Sequence, residues 1–335
     1  MEFNRLIQTI DLHTMGEPTR VVVTPLFNIY GQGIAEKRAR FQREMDFIRT
    51  SLMHEPRGHK DMFGAILTPP ESESSHFGVI FMDGKGYLDM CIHGSMGAVR
   101  AVLETGIVPM IEPVTTLKID SPAGKINAEV ELVNGRVKSI TIENVPSFLF
   151  QQDFKVELPG VGNVLIDIAF GGNFFAMVNA KDLGIELDNR NLSRLIKAAL
   201  TIREKVNEAL TIQHPIEKHI NQVNLVVIHD DPKNPKAHRR NVTIFGSGQY
   251  DRSPCGTGTS SMMAALYRKG KLKLGQRFLN ESIIGTLFEG RLDRSVMIGE
   301  FEAVVPKITG NSYIIGTNQW IIDPDDPLKY GFFIE

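Results

Sequence analysis

The stretch that organises this chain is residues 251–260, which read DRSPCGTGTS. One of the chain's two cysteines, Cys255, stands there directly before a run of small residues. The apolar segment 262–267 follows, and two basic residues and Gly270 close it, as is typical of the end of a helix. Cys255 is therefore predicted to lie at a helix N-terminus, where unpaired N–H groups and the positive dipole end favour a thiolate and attract an anionic ligand.

The other cysteine has a matching context. Residues 89–95 read DMCIHGS and lead into a small, apolar segment that closes at Gly106. Fifteen positions separate Cys91 from Gly106, and fifteen also separate Cys255 from Gly270. A segment that is apolar nearly all round predicts a helix buried on every side. The sequence thus repeats one unit, a thiol at the start of a buried helix, in each half of the chain.

Length and composition narrow the class of protein. A chain of 335 residues is too long for one small core, so two lobes are expected. The 37 basic and 39 acidic residues form no basic block, which argues against a nucleic-acid partner. The sequence has no apolar run of about 18 residues, the length that would predict a membrane span. Two distant cysteines make neither a disulfide framework nor a zinc set, so a reduced, cytoplasmic protein is expected.

Hydrophobic periodicity predicts an α+β protein. Two long helices, each with one apolar stripe, are predicted at about 34–53 and 191–210. Short apolar runs bounded by glycine, proline and polar residues predict many strands, among them 6–12, 20–27 and 283–286. Together with the two buried helices, these elements predict that each half of the chain wraps a sheet around one buried helix.

The resulting domain prediction has two pseudo-symmetric lobes, each a mixed, mostly antiparallel β-sheet or barrel around a central helix. The N-terminal lobe comprises residues 1–142 with 318–335 and carries Cys91. The C-terminal lobe comprises residues 143–317 and carries Cys255. No low-complexity linker separates them, so the lobes are expected to be closely coupled.

The two cysteines are the candidate reactive groups. A lone cysteine is usually a small buried hydrophobe, but two at equivalent positions before equivalent helices indicate a function. Cys91 and His93 would need further ligands to bind a metal, and none accompanies them, so no metal is predicted. A cysteine–histidine hydrolase is one alternative, although His93 need not face Cys91 and hydrolysis has no use for a second cysteine. A catalytically silent small-molecule binding protein is the other.

Residues around Cys255 indicate the kind of ligand. The glycines that begin at Gly256 resemble a phosphate cradle, but the stretch lacks the lysine of a P-loop. They leave room for a smaller anion near backbone N–H groups. Asp251, four positions before Cys255, is either a turn residue or a partner for an ammonium group.

Two thiols facing each other across a small carboxylate suit one reaction class. A thiolate removes the proton alpha to the carboxylate, a thiol reprotonates the opposite face, and the two exchange roles with direction. The developing negative charge would meet two helix N-termini. Each dipole contributes about 0.3–1 kcal/mol when exposed and up to roughly 2 kcal/mol when partly buried, so exclusion of water and an ion pair to the amine must contribute too.

Taken together, these motifs resemble those of the proline racemase family. The resemblance runs over nearly the whole length and is carried by residues 11–20 (DLHTMGEPTR), 57–64 (RGHKDMFG), 90–94 (MCIHG), 171–174 (GGNF) and 251–259 (DRSPCGTGT). It implies a two-lobed fold like that of diaminopimelate epimerase, an active site between the lobes, and a homodimer. It also implies a small-molecule substrate, proline or hydroxyproline, and a reaction that needs no pyridoxal phosphate or other cofactor.

The resemblance also implies roles for individual residues. Cys91 and Cys255 would be the two acid/bases, and His93 and Asp251 would contact the substrate nitrogen. The substrate carboxylate would be held by backbone N–H groups of Ile92, His93, Gly256 and Thr257. Gly94 would lie beside them in the substrate-binding loop.

The choice of substrate within the family depends on a few positions. Members divide into proline racemases, 4-hydroxyproline epimerases and trans-3-hydroxyproline dehydratases, and dehydratases typically carry Thr or Ser at one cysteine position. Phe63 and Phe245 match positions that are Phe in proline racemases and often smaller or more polar in the epimerases. A phenyl ring beside C4 of the substrate would leave a hydroxyl unsolvated, unless both rings are simply core.

The loop after Cys91 departs from the racemase pattern. Ile92 stands where the family usually has Gly, and Gly94 with Ser95 is closer to the epimerase form of this loop. Both cysteines are present, which argues against the dehydratase branch. The sequence therefore favours a racemase that interconverts L- and D-proline, with 4-hydroxyproline 2-epimerase as the alternative.

Overall fold

The computed structural model describes residues 5–24 and 31–334, and this part of the chain is α+β, as predicted. Its α-helices are α1 (Ile34–Met53), α2 (Ile92–Glu104), α3 (Leu192–Ala209) and α4 (Gly256–Arg268). Its strands are β1 (Arg5–Thr14), β2 (Glu17–Val22), β3 (Phe63–Thr68), β4 (Phe77–Asp83), β5 (Tyr87–Leu88), β6 (Val114–Ser121), β7 (Gly124–Val133), β8 (Arg136–Glu143), β9 (Phe148–Leu158), β10 (Gly162–Phe170), β11 (Phe174–Asn179), β12 (Val223–Asp230), β13 (Arg239–Phe245), β14 (Gln249–Asp251), β15 (Phe278–Ser282), β16 (Leu287–Ile298), β17 (Phe301–Gly310) and β18 (Ser312–Ile322). No helix in this described part is long and apolar enough to cross a membrane.

The described residues divide into two compact units. Unit 1 falls within 1–142 plus 311–335, and unit 2 within 143–310. β18 belongs to unit 1 because it pairs antiparallel with β1 along its whole length. The sequence-based domain boundary between 317 and 318 falls inside this strand.

Unit 1 is built on mixed, mostly antiparallel strand pairing. β1 pairs antiparallel with both β18 and β2, β3 with β4, β4 with β5, and β6 with β7. The parallel pairs are β2 with β3 and β4 with β6. A parallel pair needs a long crossover connection, and α1 and α2 lie in these two crossovers.

Unit 2 repeats the same order of pairings. β10 pairs antiparallel with β9 and β11, β12 with β13, β13 with β14, β15 with β16, and β16 with β17. The parallel pairs are β11 with β12 and β13 with β15, and α3 and α4 lie in their crossovers. α2 and α4 therefore occupy equivalent places in the two pairing schemes.

The two crossover helices that follow the cysteines are buried, as their composition predicts. Eleven of the thirteen residues of α2 are buried, as are the first ten of α4. α2 packs against β1, β2, β3, β4 and β18, and α4 packs against β9, β10, β11, β16 and β17. Gly106 and Gly270, both with positive φ, end the two helices as predicted.

The other element predictions are mostly confirmed. The helices predicted at 34–53 and 191–210 correspond to α1 and α3, and the strand predicted at 6–12 lies within β1. Of the strand predicted at 20–27, the first three residues belong to β2, and residues 25–27 lie outside the described residues. The strand predicted at 283–286 is wrong. Backbone hydrogen bonds make this segment the turn between β15 and β16, which needs Gly285 at φ 87°.

Candidate active site

Each buried crossover helix begins at a cysteine that caps it. The Sγ atom of Cys91 accepts the backbone N–H of Gly94 at 3.2 Å, and Sγ of Cys255 accepts that of Gly258 at 3.4 Å. Neither cysteine is part of a disulfide within the described chain, and both are buried, with 5% and 4% of the residue exposed. The sulfur takes the part that a Ser or Asp oxygen usually plays at an N-cap, so each thiol lies at the positive end of a helix.

The residue two positions after each cysteine also contacts its sulfur. Nδ1 of His93 lies 3.1 Å from Sγ of Cys91, and Oγ1 of Thr257 lies 3.8 Å from Sγ of Cys255. His93 thus faces Cys91, which the sequence did not require. The two helices start with the same arrangement of sulfur, neighbouring side chain and backbone donor.

The backbones of the two cysteines differ. Cys91 is extended, with φ −149°, whereas Cys255 has φ +56°, in the left-handed region that only glycine adopts freely. Such a conformation costs on the order of 1–3 kcal/mol and persists only when its surroundings fix it. Here the N–H of Cys255 donates to Oγ of Ser253 at 3.1 Å, and the N–H of Ser253 donates to Oδ1 of Asp251 at 2.7 Å.

The predicted residues of unit 1 form one cluster around Cys91. Phe63 begins β3, and its ring centroid lies 4.4 Å from that of His93, edge to face. A Cβ at Gly94 would lie 2.9 Å from Cε1 of Phe63, so a side chain there would have to displace the ring. Ile92 is fully buried as the first residue of α2. Thr14, which sequence reasoning missed, donates its hydroxyl to the carbonyl of His93 at 3.0 Å.

His93 is a neutral imidazole near pH 7. Burial disfavours its charged form and lowers the pKa of the ring to about 3. The ring offers one N–H donor and one acceptor in this state. It can therefore exchange a hydrogen bond with the Cys91 sulfur without adding charge.

The predicted residues of unit 2 form a second cluster around Cys255. Asp251 ends β14 and is buried, and Gly256 and Thr257 open α4. Burial raises the pKa of the Asp251 carboxyl to about 6. Burial, and next the negative charge of Asp251, raise the pKa of the Cys255 thiol far above its usual range. Cys255 therefore holds its proton at neutral pH.

Phe245 approaches this cluster through its strand. It is buried at the end of β13, two residues after Thr243, which pairs with Asp251 on β14. Because side chains alternate along a strand, Thr243 and Phe245 share one face. Oγ1 of Thr243 would lie 3.3 Å from a Cβ at Gly258, beside the Cys255 sulfur. Sequence reasoning missed Thr243, and its spacing of two from Phe245 was the available signal.

The donor set gives no support for a bound metal. Among residues 5–24 and 31–334, no group of three or more His, Cys, Asp and Glu side chains could hold a metal ion. The pair formed by Cys91 and His93 has no third such ligand there. Each cluster instead combines a thiol with backbone N–H groups at a helix N-terminus, which suits proton transfer beside an anion.

Known proteins resemble this chain along its whole length. The family model described as Proline racemase matches residues 9–333. A proline racemase of Acetoanaerobium sticklandii is 50% identical over 335 residues, which cover 100% of both chains. A 4-hydroxyproline 2-epimerase of Streptosporangium roseum is 42% identical over 334 residues, again covering 100% of each.

A solved structure gives the same result for the fold. The hydroxyproline epimerase of Agrobacterium vitis, crystallised with bound trans-4-OH-L-proline, matches with a TM-score of 0.94 at 30% sequence identity. The match covers 100% of this chain and 97% of that one. Sequence and fold agree over the full length, and the chain therefore belongs to the proline racemase family.

Proposed function

We propose that the protein is a proline racemase that interconverts L- and D-proline by moving the α-proton between two thiols. The observation that carries the proposal is the pair of buried helices that are each capped by a cysteine thiol, Cys91 and Cys255. Racemisation needs a base on one face of the α-carbon and an acid on the other. Two thiols supply both groups, and the full-length identity to a proline racemase supports the substrate.

The two sulfurs have different protonation states, and so different roles, at the start of a turnover. Cys255 begins as the acid because burial and Asp251 hold its pKa high. We therefore assign the base to Cys91, whose sulfur lies 3.1 Å from Nδ1 of the neutral His93 ring rather than beside the Asp251 carboxyl. The thiolate takes the α-proton and forms an S–H bond, and the electron pair left on carbon takes the proton of Cys255. The two sulfurs have then exchanged states, ready for the reverse reaction.

The substrate is held by groups that match its two charges. Backbone N–H groups at the starts of α2 and α4, from Ile92, His93, Gly256 and Thr257, bind the carboxylate at the positive helix ends. Asp251, ionised above about pH 6, pairs with the substrate nitrogen, and neutral His93 accepts a hydrogen bond from it. Gly94 keeps the first turn of α2 close to Phe63.

Specificity for proline rests on the two phenylalanines. Phe63 lies against His93, and Phe245 lies on the strand face that Thr243 shares. A hydroxyl on the substrate beside an apolar wall would lose its hydrogen bonds to water, at a cost of roughly 1–3 kcal/mol. The second candidate is 4-hydroxyproline 2-epimerase with the same thiols, because the full-length match to such an epimerase fits that substrate as well.

The remaining features of the proposal follow from family and chemistry. The two units with matching strand order are the two lobes of a diaminopimelate epimerase-like fold, and the protein is a homodimer. The small-molecule substrate is its only chemical partner, with no pyridoxal phosphate, metal or other cofactor. Because both thiols must stay reduced, a cytoplasmic location suits the chemistry.

The test is conversion of L-proline by the purified protein, followed by chiral chromatography, with trans-4-hydroxy-L-proline run in parallel. We expect D-proline to form, at undiminished rate after dialysis against a chelator, and a higher kcat/KM for proline. A preference for hydroxyproline would replace the racemase by the epimerase. Hydrolysis products, or binding without turnover, would refute both.

A further inference from the structure

The peptide bond between Pro254 and Cys255 is held at both ends. On one side, the N–H of Cys255 donates to Oγ of Ser253 at 3.1 Å. On the other, the carbonyl of Pro254 accepts the hydroxyl of Thr259 at 3.1 Å and Nδ2 of Asn280 at 3.2 Å. The orientation of this peptide plane sets φ of Cys255, so these bonds together fix the left-handed backbone that aims the thiol.

Asn280 closes this arrangement from a different part of unit 2. It lies in the middle of β15 and is fully buried. Its Nδ2 atom also donates to Oγ1 of Thr259 at 2.8 Å, so Asn280, Thr259 and the Pro254 carbonyl form a closed triangle of hydrogen bonds. A third acceptor, Oδ1 of Asn241 on β13, lies 3.3 Å from the same nitrogen, so one of its two hydrogens is shared between acceptors. Oδ1 of Asn280 and Nδ2 of Asn241 are buried without a hydrogen-bond partner among the described residues, so Asn280 acts on the Pro254 carbonyl through its nitrogen.

We propose that Asn280 is a positioning residue for Cys255, which acts through the Pro254 carbonyl and Thr259 to keep the thiol aimed at the substrate. Without the triangle, only the bond from the Cys255 N–H to Ser253 holds this peptide plane, and Cys255 relaxes toward negative φ. Its sulfur then leaves the N–H of Gly258 and the neighbourhood of Asp251. The proposal rests on the proposed function for its kinetic readout only.

The kinetic test compares variants on both sides of the triangle. Asn280→Ala and Thr259→Val each remove one corner, and we expect kcat for proline to fall about 10–100-fold, since small misplacements of a reacting group have effects of this size. KM should change by less than about threefold, because the substrate contacts remain. Thr259→Ser keeps the hydroxyl and should retain most of kcat.

Thr115→Val is the matched control. Thr115 is also buried, in unit 1, and among the described residues its hydroxyl bonds only to the backbone of Ile111. This variant should lose stability but keep kcat. Circular dichroism and thermal unfolding identify the folded variants. If Asn280→Ala does not fold, the comparison of Thr259→Val with Thr259→Ser decides the test. Equal loss of kcat in Thr115→Val and Thr259→Val would overturn the proposal.

The second readout does not depend on the substrate. Alkylation of each cysteine by iodoacetamide is followed peptide by peptide, with Cys91 as the internal reference. Release of Cys255 from its buried place beside Asp251 should raise its alkylation rate about tenfold in Asn280→Ala, because both burial and the Asp251 charge oppose ionisation of the thiol, and should leave the rate of Cys91 unchanged. An unchanged Cys255 rate, or a parallel rise at both cysteines, would overturn the proposal. If the wild type does not racemise proline, the proposed function fails. The alkylation rate of Cys255 relative to that of Cys91 still decides the role of Asn280.

Discussion

At the scale of single residues, the two thiols have similar neighbours but different charge environments. Each sulfur accepts an N–H from the third residue of its helix. Beside Cys91 stands a neutral imidazole, His93, whereas Cys255 shares its surroundings with the carboxyl of Asp251. A two-base reaction needs its two sulfurs in different protonation states, and the charge of Asp251 favours the protonated form at Cys255.

Replacing either cysteine by serine should nearly abolish racemisation. A hydroxyl has a much higher pKa than a thiol, so Cys91→Ser and Cys255→Ser remove a competent acid/base and should each lower kcat by about 10²–10⁴-fold. Chiral chromatography of proline after incubation measures the loss, and circular dichroism checks the fold. Near wild-type racemisation by either variant would exclude the two-base mechanism.

Phe63 should control the preference for proline over trans-4-hydroxyproline. Phe63→Val opens space beside His93 and should narrow the ratio of the two kcat/KM values by about one decade. Phe148→Leu serves as the control, because Phe148 is a fully buried ring packed among other aromatic side chains of unit 2. If Phe63→Val leaves the ratio unmoved, Phe63 is ordinary core.

The sequence predicts which residues lie at the starts of the two buried helices, but not how they are held. Side chains two apart on a helix do not face each other, so the contact between His93 and Cys91 was not expected. It forms because Cys91 lies before the helix, in extended backbone, and its sulfur turns back over the first turn. The positive φ of Cys255 and the part of Asn280, 25 positions later, depend on tertiary hydrogen bonds that a single sequence does not display.

At the scale of secondary structure, the first turns of α2 and α4 depend on glycine. Gly94 and Gly258 donate to the capping sulfurs, and the structure leaves little space for a side chain at either. The helices were predictable because their capping cysteines, apolar runs and terminal glycines agree. The segment 283–286 was not, because an apolar pair before Gly285 fits both a strand and a tight turn.

Gly94→Ala should lower activity even though alanine favours helix formation. The added Cβ would lie 2.9 Å from Phe63 and 3.0 Å from Phe81, so the rings must shift at a cost of about 1–3 kcal/mol. Gly97→Ala in the same helix is the matched control, because its Cβ would lie 2.9 Å from the side chain of Thr19 instead. Both variants should lose thermal stability, and only Gly94→Ala should lose kcat/KM. Equal kinetic loss in both would contradict this reading.

At the scale of the whole molecule, stability depends on keeping His93 neutral. Its pKa is about 3 in the folded protein, below the ordinary value for histidine of about 6.5. The unfolded chain therefore binds this proton first as the pH falls, so the stability due to His93 is complete above about pH 6.5 and is lost between there and pH 3. Two buried carboxyls with raised pKa values act in the opposite sense as the pH falls, Asp83 in unit 1 and, between about pH 6 and 4, Asp251 in unit 2. The contribution of His93 is therefore the difference in slope between the wild type and a variant that lacks this ring.

Trp320, the only tryptophan in the sequence, allows this loss to be measured in unit 1. Its Nε1 donates to Thr9 across β1 and β18, so its fluorescence reports the unfolding of this unit. Below about pH 6, His93 should lower the free energy of unfolding, measured in urea, by about 1.4 kcal/mol for each unit by which the pH falls. His93→Gln should flatten this slope, and His219→Gln, at an exposed position of unit 2, should not. The same slope in wild type and His93→Gln would contradict the assignment.

The source of the α-proton in the product tests the two-thiol mechanism most directly. L-proline is incubated with the protein in D2O, and both enantiomers are examined by chiral separation and NMR at low conversion. Because the proton leaves to one sulfur and arrives from the other, newly formed D-proline should carry deuterium at the α-carbon while the remaining L-proline keeps protium. When D-proline is the substrate, newly formed L-proline should carry deuterium and the remaining D-proline should keep protium. D-proline that retains the original proton would mean that one group both removes and returns it, which contradicts the account.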